Sequence, residues 1–123
     1  MNDNGERKLV LVVDDQDVVR MTMVEVLTDA GFDVTDAESG DLALRLLQGT
    51  GCFDLVVTDI DMPGSADGNV VGREAKRVRP ETAVLYVTGR PERLTNHLGA
   101  REALMAKPFR LAAMIRVVGE LLA

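Results

Sequence analysis

Short runs of apolar residues occur at regular intervals along the chain. The strongest is Leu9–Val13, and comparable runs fill residues 53–58 and 83–88. Continuous β-branched runs of this length are typical of strands that are buried on both faces of a sheet. Weaker runs at residues 32–37 and 103–106 indicate two more strands. The pattern therefore predicts five strands.

Between these runs, apolar residues recur every three or four positions, which predicts helices. The first helix ends at Gly31, the second begins at a Ser39 cap, and the third ends before Pro80. Residues 91–98 are predicted to form a short, poor helix, and residues 111–122 a final amphipathic one. Strands and helices thus alternate strictly through five units.

Strict alternation of strands and helices predicts a doubly wound α/β fold, in which a parallel sheet carries helices on both faces. The chain, residues 1–123, suits a single domain, with a core expected from about residue 8 to residue 122. An apolar content of 46% supports a packed interior, and 28% charged residues support a soluble surface.

The charge and the composition exclude several classes of partner. A net charge of −6 argues against nucleic acid and anionic membranes. No apolar run approaches the ~20 residues that a membrane-spanning helix needs, and no apolar signal core follows the polar residues 1–8. The single cysteine, Cys52, cannot form an internal disulfide. These features predict a cytoplasmic protein that binds neither DNA nor membrane directly.

Charged and hydroxyl residues stand at the carboxyl ends of four predicted strands. They are Asp14 and Asp15 after the first strand, Asp59 after the third, Thr88 at the end of the fourth and Lys107 after the fifth. In a parallel sheet these ends share one edge, which is where ligands bind. Taken singly, each acid could merely cap a turn. Their joint placement predicts a site, because unrelated polar residues would scatter over both edges.

Such a group of side chains suits phosphoryl transfer. Three neighbouring carboxylates repel one another unless a cation neutralises them, and hard oxygen ligands suit Mg²⁺. Lys107 offers a positive charge to a phosphoryl oxygen, and Thr88 offers a hydrogen bond. A carboxylate can attack phosphorus to form an aspartyl phosphate. The metal, the lysine and the hydroxyl would stabilise the transition state.

Four motifs resemble the receiver domain of bacterial two-component response regulators, the CheY-like family. They are the acidic pair at residues 14–15, the loop at residues 59–63, and the dipeptides at residues 88–89 and 107–108. The resemblance extends from about residue 8 to residue 122. It implies a flavodoxin-like (βα)5 parallel sheet with the strand order 2-1-3-4-5.

The resemblance implies a set of metal ligands. Asp15 would bind Mg²⁺ directly and Asp14 mostly through water, with Asp59 as a further carboxylate ligand. The backbone carbonyl of Asp61 would supply another ligand. Mn²⁺ could take the place of Mg²⁺ in such a site.

The resemblance also implies the path of the phosphoryl group. Asp59 would be the phosphoacceptor, supplied by a histidine kinase or a histidine phosphotransfer protein. Lys107 would bind the phosphoryl group, with a cis peptide bond before Pro108, and Thr88 would be the switch hydroxyl. The domain would then signal to a downstream protein partner, as a monomer or a weak homodimer. It would catalyse only its own phosphorylation and dephosphorylation, and so would not be an enzyme in the usual sense.

Two features bear on how such a switch would work and on how long the phosphoryl group would last. Leu104 stands where the family often carries Tyr or Phe on the fifth strand, so the usual aromatic switch is not expected. We expect residues 89–100 to shift instead, because they contain Pro91 and lack a clear apolar stripe. Asp61 and Arg90 have opposite charges and stand at positions that flank the path of attacking water in the family. We expect these two side chains to pair.

Two other functions fit part of the pattern. Asp59-Ile60-Asp61 matches the D-x-D motif of haloacid-dehalogenase-type phosphatases. Those enzymes carry the nucleophile after their first strand and usually have a longer chain with a cap, whereas here an acidic pair follows the first strand. The second alternative is a degenerate receiver that acts only as an interaction module. The intact set of five residues argues against it.

Overall fold

The computed structural model describes residues 7–49 and 52–123. The strands are β1 (Leu9–Val13), β2 (Asp33–Ala37), β3 (Leu55–Thr58), β4 (Ala83–Thr88) and β5 (Glu102–Ala106). Neighbouring strands are parallel, and their order across the sheet is β2-β1-β3-β4-β5. This confirms the flavodoxin-like order that the resemblance implied. All five predicted strands are present, with ends within two residues of those predicted.

Helices cover both faces of the sheet. They are α1 (Asp17–Asp29), α2 (Gly40–Gly49), α3 (Gly68–Val78) and α4 (Leu111–Leu121). Two of the predicted end signals are confirmed. Gly31 adopts a positive φ of 100° after α1, and the Leu42 N–H donates a 3.1 Å hydrogen bond to the Ser39 hydroxyl at the start of α2. None of the helices in the described ranges is both long and apolar enough to cross a membrane.

Burial alternates between the two faces along the central strand β1. Val10 and Val12 lie in a core layer shared with α1 and α4, whereas Leu11 and Val13 lie in the layer shared with α2 and α3. All four side chains are fully buried. Both faces of β1 therefore need apolar residues, which explains its uninterrupted apolar run.

The prediction of a helix at residues 91–98 is wrong. A 3₁₀ turn forms at Pro91–Arg93, and non-helical backbone continues from there to β5. The segment has no apolar stripe, so tertiary packing does not offset the entropic cost of forming a helix. Its backbone bonds instead to Asn69 of α3, which accepts from the Thr95 N–H and donates to the Arg93 carbonyl, both at 2.9 Å. The alternation of strand and helix therefore fails between β4 and β5.

The connection from β3 to α3 depends on a close backbone approach at Gly68. A Cβ atom at this position would overlap the carbonyl oxygen of Asp59 and the Cα atom of Ile60. Neither backbone atom can yield without shifting the end of β3. This position therefore requires glycine. Gly119, within α4, is different, because a Cβ atom there would have no neighbour within 4 Å.

Alanine at these two glycines should have opposite effects on stability. Gly68→Ala should lower the free energy of unfolding by about 1–3 kcal/mol, because the added methyl group forces the backbone to shift. Gly119→Ala should raise it by about 0.5–1 kcal/mol, because alanine has the higher helix propensity. Urea unfolding of both variants beside the wild type measures the effects. A stable Gly68→Ala variant would show that the close approach does not constrain the fold.

Candidate functional site

The ends of β1 and β3 bring three carboxylates together. In the sheet, Val13 pairs with Thr58, and the Asp59 N–H donates to the Val13 carbonyl at 2.9 Å. Asp14, Asp15 and Asp59 therefore leave the sheet at the same point. One carboxylate oxygen from each lies within 4.8 Å of the other two. The structure thus brings together the three acids that the sequence analysis selected.

Lys107 connects two of these acids from the loop after β5. Its Nζ lies 3.0 Å from Asp14 Oδ2 and 3.2 Å from Asp59 Oδ2. Backbone groups hold the other two oxygens. The Gln16 N–H donates to Asp14 Oδ1 at 2.9 Å, and the Ile60 N–H donates to Asp59 Oδ1 at 2.7 Å. Both carboxylates are therefore fixed in orientation at the buried side of the site.

Burial sets the electrostatics of the site. Asp14 is fully buried and Asp59 is 7% exposed, whereas Asp15 is exposed. Burial raises the pKa of Asp59, while the Lys107 charge opposes that rise and the Asp14 charge adds to it. Burial alone would lower the pKa of Lys107, but its interactions with Asp14 and Asp59 outweigh burial and raise it. Lys107 is therefore charged at neutral pH, and its charge stabilises the ionised forms of the two buried acids.

The charge at this edge of the sheet is not balanced by the lysine alone. Three carboxylates and one ammonium have a formal charge of −2, which one divalent cation would neutralise. The acidic donors are all hard oxygen atoms, and Asp15 lies on the side that is open to solvent. This combination fits the hard divalent cation that the sequence analysis predicted.

Thr88 lies at the end of β4, where it pairs with Ala106 at the end of β5. Its Oγ1 accepts a 3.0 Å hydrogen bond from the Arg90 N–H, and its carbonyl accepts a 2.7 Å bond from the Lys107 N–H. The peptide bond between Lys107 and Pro108 is cis, as predicted. The Thr88 hydroxyl is thus bonded to the loop that follows β4.

Asp61, two residues after Asp59, faces two arginines. Its carboxylate oxygens lie 3.9 Å from Arg90 Nε and 3.8 Å from Arg93 Nε. The predicted pair with Arg90 is therefore present, and Arg93 is a second partner that the sequence analysis missed. These side chains are between 40% and 58% exposed, so each pair adds little to stability. The role of the Asp61 backbone carbonyl as a metal ligand stays a prediction.

The sequence analysis also missed Arg20, a buried cation in α1. It is 8% exposed and lies on the inner face of the helix with Met23 and Leu27. Its Nη1 donates to the Asp14 carbonyl at 2.8 Å, in the loop that carries the acidic pair. The available signal was its spacing, because Arg20 precedes Met23 and Leu27 by three and seven positions and so shares their face of the helix. A guanidinium buried on that face requires polar partners.

Comparison with known protein families decides what kind of domain this is. The response regulator receiver domain family matches residues 10–118. The chain belongs to this family. Receiver domains are signalling domains of two-component systems and not classical enzymes. The family match therefore agrees with the resemblance that the four motifs indicated.

Two relatives from Brucella abortus illustrate how this receiver domain relates to longer and shorter proteins. The sensor kinase CckA is 35% identical over 117 residues, which cover 92% of this chain and 12% of the kinase. The response regulator receiver protein CpdR is 30% identical over 118 residues, which cover 94% of this chain and 97% of CpdR. The chain thus matches a small part of one protein and nearly all of the other.

Solved structures share the fold of this receiver domain. A response regulator receiver protein from Sinorhizobium medicae is 33% identical, with a TM-score of 0.87 and 95% coverage of both chains. The receiver domain of the hybrid histidine kinase CckA is 25% identical, with a TM-score of 0.79, and the match covers 94% of this chain and 99% of that one. Fold and family therefore agree.

Replacing Asp59 should stabilise the receiver domain at neutral pH. Its pKa is raised by folding, so its ionised form costs stability above the ordinary carboxyl pKa of 3.8. Asp59→Asn should remove this cost and raise the free energy of unfolding. The gain should disappear as the pH falls below 3.8, where Asp59 is protonated in both the native and the unfolded state.

Urea unfolding from about pH 3 to pH 8 measures this effect. Asp33→Asn is the control, because Asp33 is exposed at the start of β2 and its replacement should change stability little at any pH. A gain from Asp59→Asn that persists undiminished at low pH would contradict the assigned cost of the buried charge.

Proposed function

We propose that this receiver domain accepts a phosphoryl group on Asp59 with Mg²⁺ or Mn²⁺ bound beside it. The observation that carries the proposal is the meeting of Asp14, Asp15 and Asp59 at one edge of the sheet, with Lys107 bridging two of them. A histidine kinase or a histidine phosphotransfer protein would be the donor, which the similarity to CckA and CpdR supports. The signal would pass to a protein partner in the cytoplasm by a change of conformation.

Metal binding would use the carboxylates of Asp14, Asp15 and Asp59 and the backbone carbonyl of Asp61. Their hard oxygen atoms and the excess negative charge support this assignment. When bound, Mg²⁺ would neutralise the site and stabilise charge on the phosphoryl oxygens. Asp15 is exposed, so a cation can reach the buried acids from solvent.

Phosphoryl transfer would be a substitution at phosphorus. A carboxylate oxygen of Asp59 forms the new O–P bond while the P–N bond of the donor phosphohistidine breaks. The departing imidazole nitrogen keeps the bonding electron pair and is protonated. The Ile60 N–H orients the carboxylate through its 2.7 Å bond to Oδ1. Lys107, which lies 3.2 Å from the same carboxylate, supplies positive charge to the phosphoryl oxygens.

The conformational response would begin at Thr88. Its hydroxyl accepts a hydrogen bond from the Arg90 N–H, and turning toward a phosphoryl oxygen would weaken that bond. Residues 89–100 would then move, because polar contacts hold most of them and Leu94 is the side chain that packs against the core. Leu104 would not follow as an aromatic ring does, because leucine gains little by filling a ring-sized gap.

Asn96 is the centre of the polar contacts that hold this segment. Its Nδ2 donates to the Tyr86 hydroxyl at 2.9 Å and to the Asn69 carbonyl at 3.0 Å. Its Oδ1 accepts a 2.9 Å hydrogen bond from Arg73 Nη1. Hydrogen bonds like these exchange for bonds to water at a small net cost. The segment could therefore be released without disrupting the apolar core.

Labelling with a radioactive phosphoryl donor tests the proposal. With acetyl phosphate or a phosphorylated histidine kinase as the donor, the wild-type protein should be labelled when Mg²⁺ is present. It should take up no label when excess chelator is present. Asp59→Asn should fold normally and take up no label. Asp15→Ala should bind Mg²⁺ at least about tenfold more weakly, because it loses a carboxylate ligand.

Asp54→Asn is the matched control, because Asp54 lies at the opposite edge of the sheet, where it accepts a 2.8 Å hydrogen bond from the Leu9 N–H. This variant should be labelled like the wild type. Normal labelling of Asp59→Asn, or equal labelling of the wild type in chelator, would refute the proposal. Release of many phosphates per chain from a small phosphate ester would favour the phosphatase alternative.

Amide hydrogen exchange tests the conformational response. A beryllofluoride mimic of the phosphoryl group should change exchange mainly in residues 89–100. Asn96→Ala removes three hydrogen bonds, so it should speed exchange in this segment before the mimic is added. Thr95→Ala is the matched control, because Thr95 bonds to Asn69 through its backbone N–H. A response confined to β5 and α4 would show that the switch runs elsewhere.

A further inference from the structure

Arg20 links α1 to the ends of two strands. Its Nη1 donates to the Asp14 carbonyl at 2.8 Å, its Nε to Asp36 Oδ2 at 2.9 Å, and its Nη2 to Asp17 Oδ1 at 2.8 Å. Asp36 lies near the end of β2, where it pairs with Val12 in the sheet. A planar guanidinium directs donors from three separate nitrogen atoms, so it can hold partners that lie apart around its plane, whereas the three donors of a lysine all radiate from one nitrogen.

The bond to Asp14 restrains one particular peptide group. The Asp14 carbonyl belongs to the planar unit that joins Asp14 to Asp15. Holding this oxygen limits rotation of the unit, and so limits the directions in which Asp15 can project. The Gln16 N–H donates a separate 2.9 Å hydrogen bond to Asp14 Oδ1. Arg20 therefore influences both acids, although its hydrogen bond to this loop goes to the backbone and not to their carboxylates.

We infer that Arg20 is a positioning residue that orients the acidic pair, Asp14 and Asp15, for a divalent cation. This inference rests on the proposed function, because it requires that the acidic pair binds metal. It extends that function by assigning part of the metal affinity to a residue that would not itself be a ligand. Outer partners of this kind orient metal ligands in many proteins.

A positioning role and a purely electrostatic role of Arg20 predict different Mg²⁺ affinities when Arg20 is replaced. A cation near the site repels a second cation, so loss of charge alone would make Arg20→Met bind Mg²⁺ more tightly. If only the charge mattered, Arg20→Lys would bind Mg²⁺ with the affinity of the wild type. A positioning role predicts weaker binding by both variants, because neither methionine nor lysine can reproduce the three directed hydrogen bonds.

Arg79 offers a matched control for a general structural role. Its Nη1 donates to the Phe53 carbonyl at 2.8 Å and to Asp54 Oδ1 at 3.2 Å. This is the same combination of backbone carbonyl and carboxylate, but it lies at the opposite edge of the sheet from the acidic pair. Arg79→Lys should therefore affect stability without changing the affinity for Mg²⁺.

Isothermal titration calorimetry with Mg²⁺ tests the inference on the whole chain, and urea unfolding reports stability separately. Arg20→Lys should raise the Kd for Mg²⁺ by about tenfold, a usual effect of losing an outer partner of a metal ligand. Arg20→Met should raise it at least as much, and Arg79→Lys should bind like the wild type. Arg20→Lys keeps the positive charge and a flexible aliphatic stem, so it serves as the test if Arg20→Met does not fold.

Unchanged Mg²⁺ affinity in Arg20→Lys, tighter binding by Arg20→Met, or equal weakening by Arg79→Lys would overturn the inference. The proposed function would still stand in these cases if the wild type binds Mg²⁺ and Asp15→Ala binds it weakly. If the wild type binds no Mg²⁺, or Asp15→Ala binds it equally well, the proposed metal site fails and the positioning role fails with it.

Discussion

The pairing of Lys107 with two buried acids is the interaction on which the site depends. Its ammonium lies 3.0 Å from Asp14 and 3.2 Å from Asp59, which reach it from different strands. Buried carboxylates without a partner would be strongly unfavourable, so removing the lysine would leave charge that the fold cannot solvate. The same pairing leaves a formal charge of −2 once Asp15 is included. The lysine thus offsets part of the cost of burying the two acids, and the remaining negative charge favours a divalent cation.

The strand order explains why these groups meet. The chain passes from β1 to β2 on one side and then returns to place β3 on the other side of β1. The connections that follow β1 and β3 diverge, which opens a crevice at the carboxyl ends of the two central strands. Asp14, Asp15 and Asp59 project from these ends. Lys107 reaches the crevice from the loop after β5 and connects the edge strand to the centre of the sheet.

The connection between β4 and β5 differs in character from the rest of the molecule. Helices elsewhere bury apolar stripes, whereas this segment is held by the amides of Asn69 and Asn96 and by the Tyr86 hydroxyl. It also contacts the site through Arg90 and the carboxylate of Asp61. A segment held by polar bonds can change position at lower cost than a packed helix. These polar contacts therefore favour the proposal that the segment moves when the Thr88 hydroxyl changes its hydrogen-bond partner.

The sequence by itself determined the five strands and the candidate site. Apolar runs locate buried strands because both faces of a central strand need apolar side chains, and the edge rule for parallel sheets then brings Asp14, Asp15, Asp59 and Lys107 together. The tertiary structure alone decided the conformation of residues 91–98 and the partners of Arg20. Both depend on contacts between residues distant in the chain, such as Asn69 with Thr95 and Arg20 with Asp36. Local periodicity carries no information about such pairs, because it describes which face a residue occupies and not which side chain lies opposite.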